Sequence, residues 1–209
     1  MNYRALTAKI LIDIKAINFN PNNPYTLTSG KKSPVYVDCR KLISYPVERK
    51  KVLKFAEKYF INNKIDFDIL AGGETAGIPY AAFLSDHLNK PMIYVRKKIK
   101  DFGKGSQIEG DFKPSQKAIL IEDLATDGKS KIMFVEAMRA NKLKITDTFV
   151  IFYYDTFKKE ELDLTKLGVK IHYLCTWNDI LKEVEEKKIL DIKDIKIIKK
   201  FLFESDSNK

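Results

Sequence analysis

An α/β domain with a mainly parallel sheet flanked by helices is what this chain predicts, and three observations point to it. Short apolar runs of strand length alternate with segments of helical period through most of the chain. One of those runs, "FDILAGG", ends in glycines directly before a helical pattern. At 209 residues with 44% hydrophobic residues, the chain has the size of one domain and an ordinary globular composition.

Taken in order, residues 3–16 show apolar spacing near 3.6 and predict an amphipathic helix. "NFNPNNPYTLTSGKKSP" is rich in turn formers and leads to "VYVDC", a short alternating strand. Pro46 then opens "PVERKKVLKFAEKYFINN", where a proline in the first turn suits a helix start. "FDILAGG" reads as a buried strand, "GIPYAAFLSDHL" as a helix and "PMIYVRKK" as a strand. "KAILIED" is another strand, "SKIMFVEAMRAN" a helix and "DTFVIFYYD" a strand. A charged helix through Leu167 and the strand "VKIHYL" follow, and the tail "TWNDILKEVEEKKILDIKDIKIIKKFLF" predicts two amphipathic helices.

No apolar run approaches the roughly 18–20 residues that span a bilayer, and the start lacks the apolar core of a secretory leader. Cys39 and Cys175 are isolated from each other and from histidines, so buried thiols in a reducing cytoplasm are expected rather than a zinc site. The net charge of +10 has three readings: lysine-rich composition, a polyanionic small substrate, or nucleic acid. Lysine is spread along the whole chain, which favours the first. His87 and His172 fall in helix and strand patterns and read as structural.

In an α/β sheet, ligands bind beyond the carboxyl ends of the strands, so the loops after the strands hold the chemistry. The loop "AGGETAG" (71–77) ends a strand and opens a helix, where glycines let backbone amides converge on an anion. The loop "RKKIKDFGKGSQIEG" (96–110) carries Arg96, Lys97, Lys98, Lys100 and Lys104. Its "GKGSQI" misses the dinucleotide pattern at Ile108, and its length and charge predict a basic lid over a phosphorylated substrate. The third stretch, "ILIEDLATDGKS", ends like a P-loop, but Asp123 stands where that motif needs its first glycine. Here Glu122 and Asp123, at the strand's end, can accept from sugar hydroxyls or bind magnesium through water. Thr126 to Ser130 can wrap a monophosphate at a helix start; a Walker-B carboxylate beside an unrelated turn is the rival reading. A sugar, a terminal phosphate and a more highly charged group together describe 5-phosphoribosyl 1-diphosphate (PRPP) better than ATP.

"AILIEDLATDGKS" resembles the PRPP signature of the type I phosphoribosyltransferases. "TSGKKSPVYVDCRKLISYP", "GGETAGIPYAAFLSDHLNKPMIYVRKKIKDFGKGSQIEG" and the C-terminal helices resemble the orotate phosphoribosyltransferases in particular. The resemblance implies the type I fold as a single domain over 1–209, with a small N-terminal hood in 1–45 and a C-terminal helical extension in 176–204. It also implies transfer of phosphoribose from PRPP to orotate, giving orotidine 5'-monophosphate and pyrophosphate in pyrimidine biosynthesis. A magnesium ion held mainly by PRPP and water, a cytoplasmic homodimer sharing loop 96–110, and no nucleic-acid or membrane partner follow from it.

Carried over by position, Glu122 and Asp123 would hold the ribose, and Leu124, Ala125, Thr126, Asp127, Gly128, Lys129 and Ser130 would surround the 5-phosphate. Glu74 and Thr75 would belong to the PRPP site, and Arg96, Lys97 and Lys100 would meet the pyrophosphate as catalytic cations. Thr126, Tyr36, Val37 and Arg40 would bind orotate. The chain departs from the family pattern at Thr28, Ala76, Phe102 and Thr156, where lysine, lysine, histidine and arginine are common. Arg40 is therefore expected to supply the cation for the orotate carboxylate, on a strand face shared with Tyr36. Lys129 is expected to be dispensable. A phosphoribosyltransferase for another base and a PRPP-sensing regulator of nucleic acid are the alternatives.

Overall fold

The computed structural model describes residues 2–27, 30–98, 106–156 and 163–204. Helix α1 (Tyr3–Asp13) begins at Asn2, whose side chain accepts from the Ala5 amide at 3.2 Å. Strand β1 (Ile17–Phe19) follows, then β2 (Tyr25–Thr26), β3 (Lys32–Ser33) and β4 (Val35–Val37). β1 pairs antiparallel with β4, and β2 with β3. The stretch expected to hold only turn formers thus contains a small hairpin and one edge of a second ribbon. Strands of two or three residues carry too little alternation to show as a period.

A 3-10 helix (Cys39–Ser44) leads to α2 (Pro46–Asn62), which opens on its proline. The alternating section then runs β5 (Ile69–Gly73), α3 (Gly77–Leu88), β6 (Met92–Val95), β7 (Ile108–Glu109), β8 (Lys117–Ala125), α4 (Lys129–Ala140) and β9 (Lys144–Tyr153). It closes with α5 (Asp163–Lys166), β10 (Lys170–Thr176), α6 (Trp177–Glu186) and α7 (Ile192–Phe203). α6 starts on a capping box, Thr176 with Asp179. The charged helix expected before Leu167 is the single turn α5 among the described residues; positions 157–162 lie outside them.

The six-stranded sheet has the order β10-β9-β8-β5-β6-β7, parallel except for β7, which runs antiparallel to β6. β7 shortens the basic connection to 96–107. Its base is closed by the Arg96 amide donating to Gln107 O at 2.9 Å, with Gln107 Nε2 returning a bond to Arg96 O at 2.9 Å.

Successive residues of a strand alternate between faces, and the core divides accordingly. On one face Leu70, Ile119 and Ile121 pack with α1, α2, α3, α6 and α7. On the other, Ile69, Ala71, Ala118 and Leu120 pack with α4 and α5. Among the described residues no helix is long and apolar enough to cross a membrane.

Candidate active site

Strand order decides where the loops meet. From β5 the chain turns into α3 on one face and adds β6; from neighbouring β8 it turns into α4 on the opposite face and adds β9. β5 and β8 are adjacent and parallel, so the turns 74–76 and 126–128 open side by side at the carboxyl edge. This is the topological switch point of an α/β sheet.

Glu122 and Asp123 sit there, although strand β8 continues past them to Ala125 rather than ending at the pair. By alternation Glu122 shares the α4 face with Leu120, and Asp123 shares the α3 face with Ile121. Both are buried, at 7% and 8% exposure. The Glu122 carboxylate lies over the β5 glycine: a Cβ on Gly73 would stand 1.8 Å from Glu122 Oε1 and 2.8 Å from Phe134. Oε1 has no hydrogen-bond partner, and burial, opposed by Lys131 and Lys97, pushes the carboxyl up to about 8. Asp123 is also raised by burial, opposed by the bond its Oδ1 accepts from the Leu124 amide at 2.8 Å and by Lys131 and Arg40.

Past the acids, Leu124 is half-buried, Ala125 is buried and Thr126 is exposed. Gly128 caps α4 at φ +79°, a left-handed conformation that suits glycine. Asp127 Oδ1 accepts from the Lys129 amide at 3.1 Å and from Thr126 Oγ1 at 3.4 Å, so the turn's own carboxylate holds these donors at the helix start. Lys129 and Ser130 are exposed, and Lys129 Nζ reaches Asp127 Oδ2 at 3.7 Å.

On the adjoining turn, Thr75 is exposed and the Glu74–Thr75 peptide is cis. Glu74 Oε2 accepts from the Lys97 amide at 2.7 Å, tying the start of the basic connection to the β5 turn. Arg96 faces Glu109 at 3.8 Å, while Lys98 is exposed. Lys100, Phe102, Lys104 and Thr28 lie outside the described residues.

On the hood side, Tyr36 is exposed with its ring 5.9 Å from that of Tyr25, and Val37 is buried. Arg40 corrects one expectation. It lies in the 3-10 helix after β4, not on the strand face of Tyr36, because the chain leaves β4 at Val37. Its guanidinium bonds Asp38 at 3.2 Å and is raised by that bond first, with Tyr36 and Asp123 also acting on it. It thus remains on the side of Tyr36 and Asp123 by a different route.

The remaining candidates have structural partners. His87 bonds Glu57 at 3.0 Å; His172 bonds Asp147 at 2.6 Å and the Tyr59 hydroxyl at 3.2 Å. Cys39 and Cys175 are buried free thiols, and burial pushes both well up, away from the reactive thiolate. Among the described residues no three carboxylate, histidine or cysteine groups converge as a metal cage. Lys131 was not flagged by sequence reasoning: within a lysine-rich chain nothing marks it, yet it is 4% exposed and faces both acids.

The sheet, its switch-point acids and the phosphate-type turn define the type I phosphoribosyltransferase class. No family model matches the chain. It is 45% identical to the orotate phosphoribosyltransferase of Ruegeria sp. over 199 residues, covering 94% of this chain and 88% of that protein. The crystal structure of orotate phosphoribosyltransferase from Aeropyrum pernix superposes with a TM-score of 0.73 at 27% identity, covering 88% of this chain and 99% of that one. The structure of Leishmania donovani UMP synthase gives a TM-score of 0.80 at 28% identity over 95% of this chain, which spans 42% of that longer protein. The chain belongs to the orotate phosphoribosyltransferase family.

Proposed function

We propose that the protein transfers the 5-phosphoribosyl group from PRPP to orotate, yielding orotidine 5'-monophosphate and pyrophosphate, the step its relatives are named for. The observation behind the reading is one edge of the sheet: two buried acids run directly into a glycine-capped turn at the start of α4, beside the anchored start of a basic connection. Glu122 and Asp123 accept from the ribose hydroxyls. Thr126 to Ser130 hold the 5-phosphate through backbone amides and hydroxyls, with Leu124 and Ala125 forming the strand beneath them. Glu74 and Thr75 line the PRPP side.

Breaking the C1–O bond sends its electron pair onto the departing diphosphate and leaves oxocarbenium character on the ribose. The deprotonated orotate ring nitrogen then donates its own pair to C1, so no enzyme nucleophile is required. Arg96 and Lys97, joined by Lys100, stabilise the leaving diphosphate electrostatically. Magnesium, when bound, would neutralise part of the diphosphate charge, held chiefly by PRPP and water. Geometry supplies the rest of the rate, because the reactants are held at attacking distance.

Orotate lies against Tyr36 and Val37 through their main chain, near Thr126, with Arg40 as the cation for its carboxylate. The unit is one domain over 1–209, with 1–45 as hood and 176–204 as the C-terminal helices. It works as a cytoplasmic homodimer sharing the basic loop. Pyrophosphate release from PRPP and magnesium is expected with orotate and not with uracil, adenine or hypoxanthine; release with another base, or with none, refutes this reading. Arg40→Ala is expected to raise the KM for orotate about tenfold, the scale of one lost charged hydrogen bond, with the KM for PRPP unchanged. An unchanged orotate KM removes Arg40 from the role.

A further inference from the structure

Lys131 occupies a position that local rules disfavour twice. It stands in the first turn of α4, where the helix dipole opposes a cation, and its side chain is buried to 4% exposure. An ammonium carries three donors, yet the hydrogen bond Lys131 Nζ makes is a long one, 3.4 Å to Ser130 Oγ. Across from it on β8, Glu122 Oε1 is buried with no partner. A buried cation with spare donors and a buried carboxyl with a spare acceptor thus lie on one face of the sheet, where α4 packs on β8.

We propose that Lys131 is a positioning residue for the sugar end of the site, supplying a fixed positive charge on the α4 side of the sheet that favours the carboxylate form of Glu122 and Asp123, the form that accepts the ribose hydroxyls. Its bond to Ser130 sets that charge at the start of the phosphate turn's helix, next to the phosphate end of the site. The inference rests on the PRPP reading above. The groups that act on Glu122 are Lys131 from α4, Lys97 from the segment after β6, and Asp123 on its own strand. The β5 side presents the backbone of Gly73 and Gly77, while Glu74 turns its carboxylate to the Lys97 amide. Lys97 belongs to the diphosphate side, which leaves Lys131 as the cation on the phosphate-turn side. Its opposition to the burial of both acids agrees with this assignment.

The test compares wild type with Lys131→Met, Lys131→Gln and Lys131→Arg, each checked by its melting curve. The neutral variants are expected to raise the KM for PRPP about tenfold and to move the rising limb of log(kcat/KM) about one unit to higher pH, the shift that loss of a tenfold charge coupling produces. Lys131→Arg is expected to restore most of both. Calorimetry should show ribose 5-phosphate binding about tenfold weaker to the neutral variants, with inorganic phosphate changed less than about twofold. Folded neutral variants with a wild-type KM and an unmoved limb overturn the proposal. So does an arginine variant no better than methionine, which makes the role one of packing. If wild type releases no pyrophosphate with orotate, the orotate reading fails by itself, and the ribose 5-phosphate comparison still decides the role of Lys131.

Discussion

The turns after β5 and after β8 are neighbours that both lead a parallel strand into a helix, yet they use glycine for different reasons. At the end of β5, leading into its turn, Gly73 is needed for space: its missing side chain is where the Glu122 carboxyl and the Phe134 ring lie. In the β8 turn Gly128 is needed for conformation, since the chain enters α4 at φ +79°. A Cβ there would stand 2.8 Å from Leu164 Cδ1, the movable end of a side chain. The first glycine is thus coupled to the acid pair, whereas the second shapes only its own turn. A close approach between two strands spreads its damage to both, and a backbone dihedral keeps it local.

Gly73→Ala tests this difference most severely. The new methyl has to displace Glu122, so kcat/KM for PRPP should fall about 100-fold, the scale of a misplaced substrate contact. Overpacking should also cost about 1–3 kcal/mol, read as a lower melting temperature. A variant with near-normal activity would mean that Glu122 does not hold the sugar from this position.

Glu122→Gln probes the same contact through pH. In the folded protein the carboxyl is raised to about 8, against about 4.3 for an unfolded glutamate. The folded state therefore keeps a proton that the unfolded state releases, and this group's contribution to stability is present below about pH 4 and lost as pH rises towards about 8. Wild type should lose melting temperature relative to Glu122→Gln across that window; parallel melting curves would show a carboxyl that titrates normally.

Gly128→Ala should be milder. The left-handed dihedral costs a side chain about 1–2 kcal/mol, so the melting temperature falls while most PRPP affinity survives. If it equals Gly73→Ala in loss of activity, the contrast between the two turns collapses. Smallest of all, Lys129→Gly should leave kcat/KM within about twofold, since exposed ion pairs such as Lys129–Asp127 contribute little. A large loss would restore a P-loop-like role to that lysine.

Much of this was legible in the chain. α2 opens on Pro46 and α3 occupies Gly77–Leu88 as their local patterns predict, because proline, glycine and helical apolar spacing act through near neighbours in sequence. The stretch from Glu122 to Ser130 was legible because a strand, an acid pair and a turn are contiguous. β1 to β3 and β7 were hidden by their shortness, and Arg40 was misplaced because nothing in "VYVDCR" marks the switch from strand to 3-10 helix.

By itself, then, the sequence determined the alternation of strands and helices, the acid pair and the glycine turn that follows it. Only the tertiary structure decided that β5 lies against β8, that Glu122 rests in the space of Gly73's missing side chain, and that Lys131, one lysine among many, is buried beside the two acids. The physical reason is range. Helix caps, turns and periodicity need only a few adjacent residues, whereas burial and the coupling of charges depend on which strands and helices the sheet order brings together.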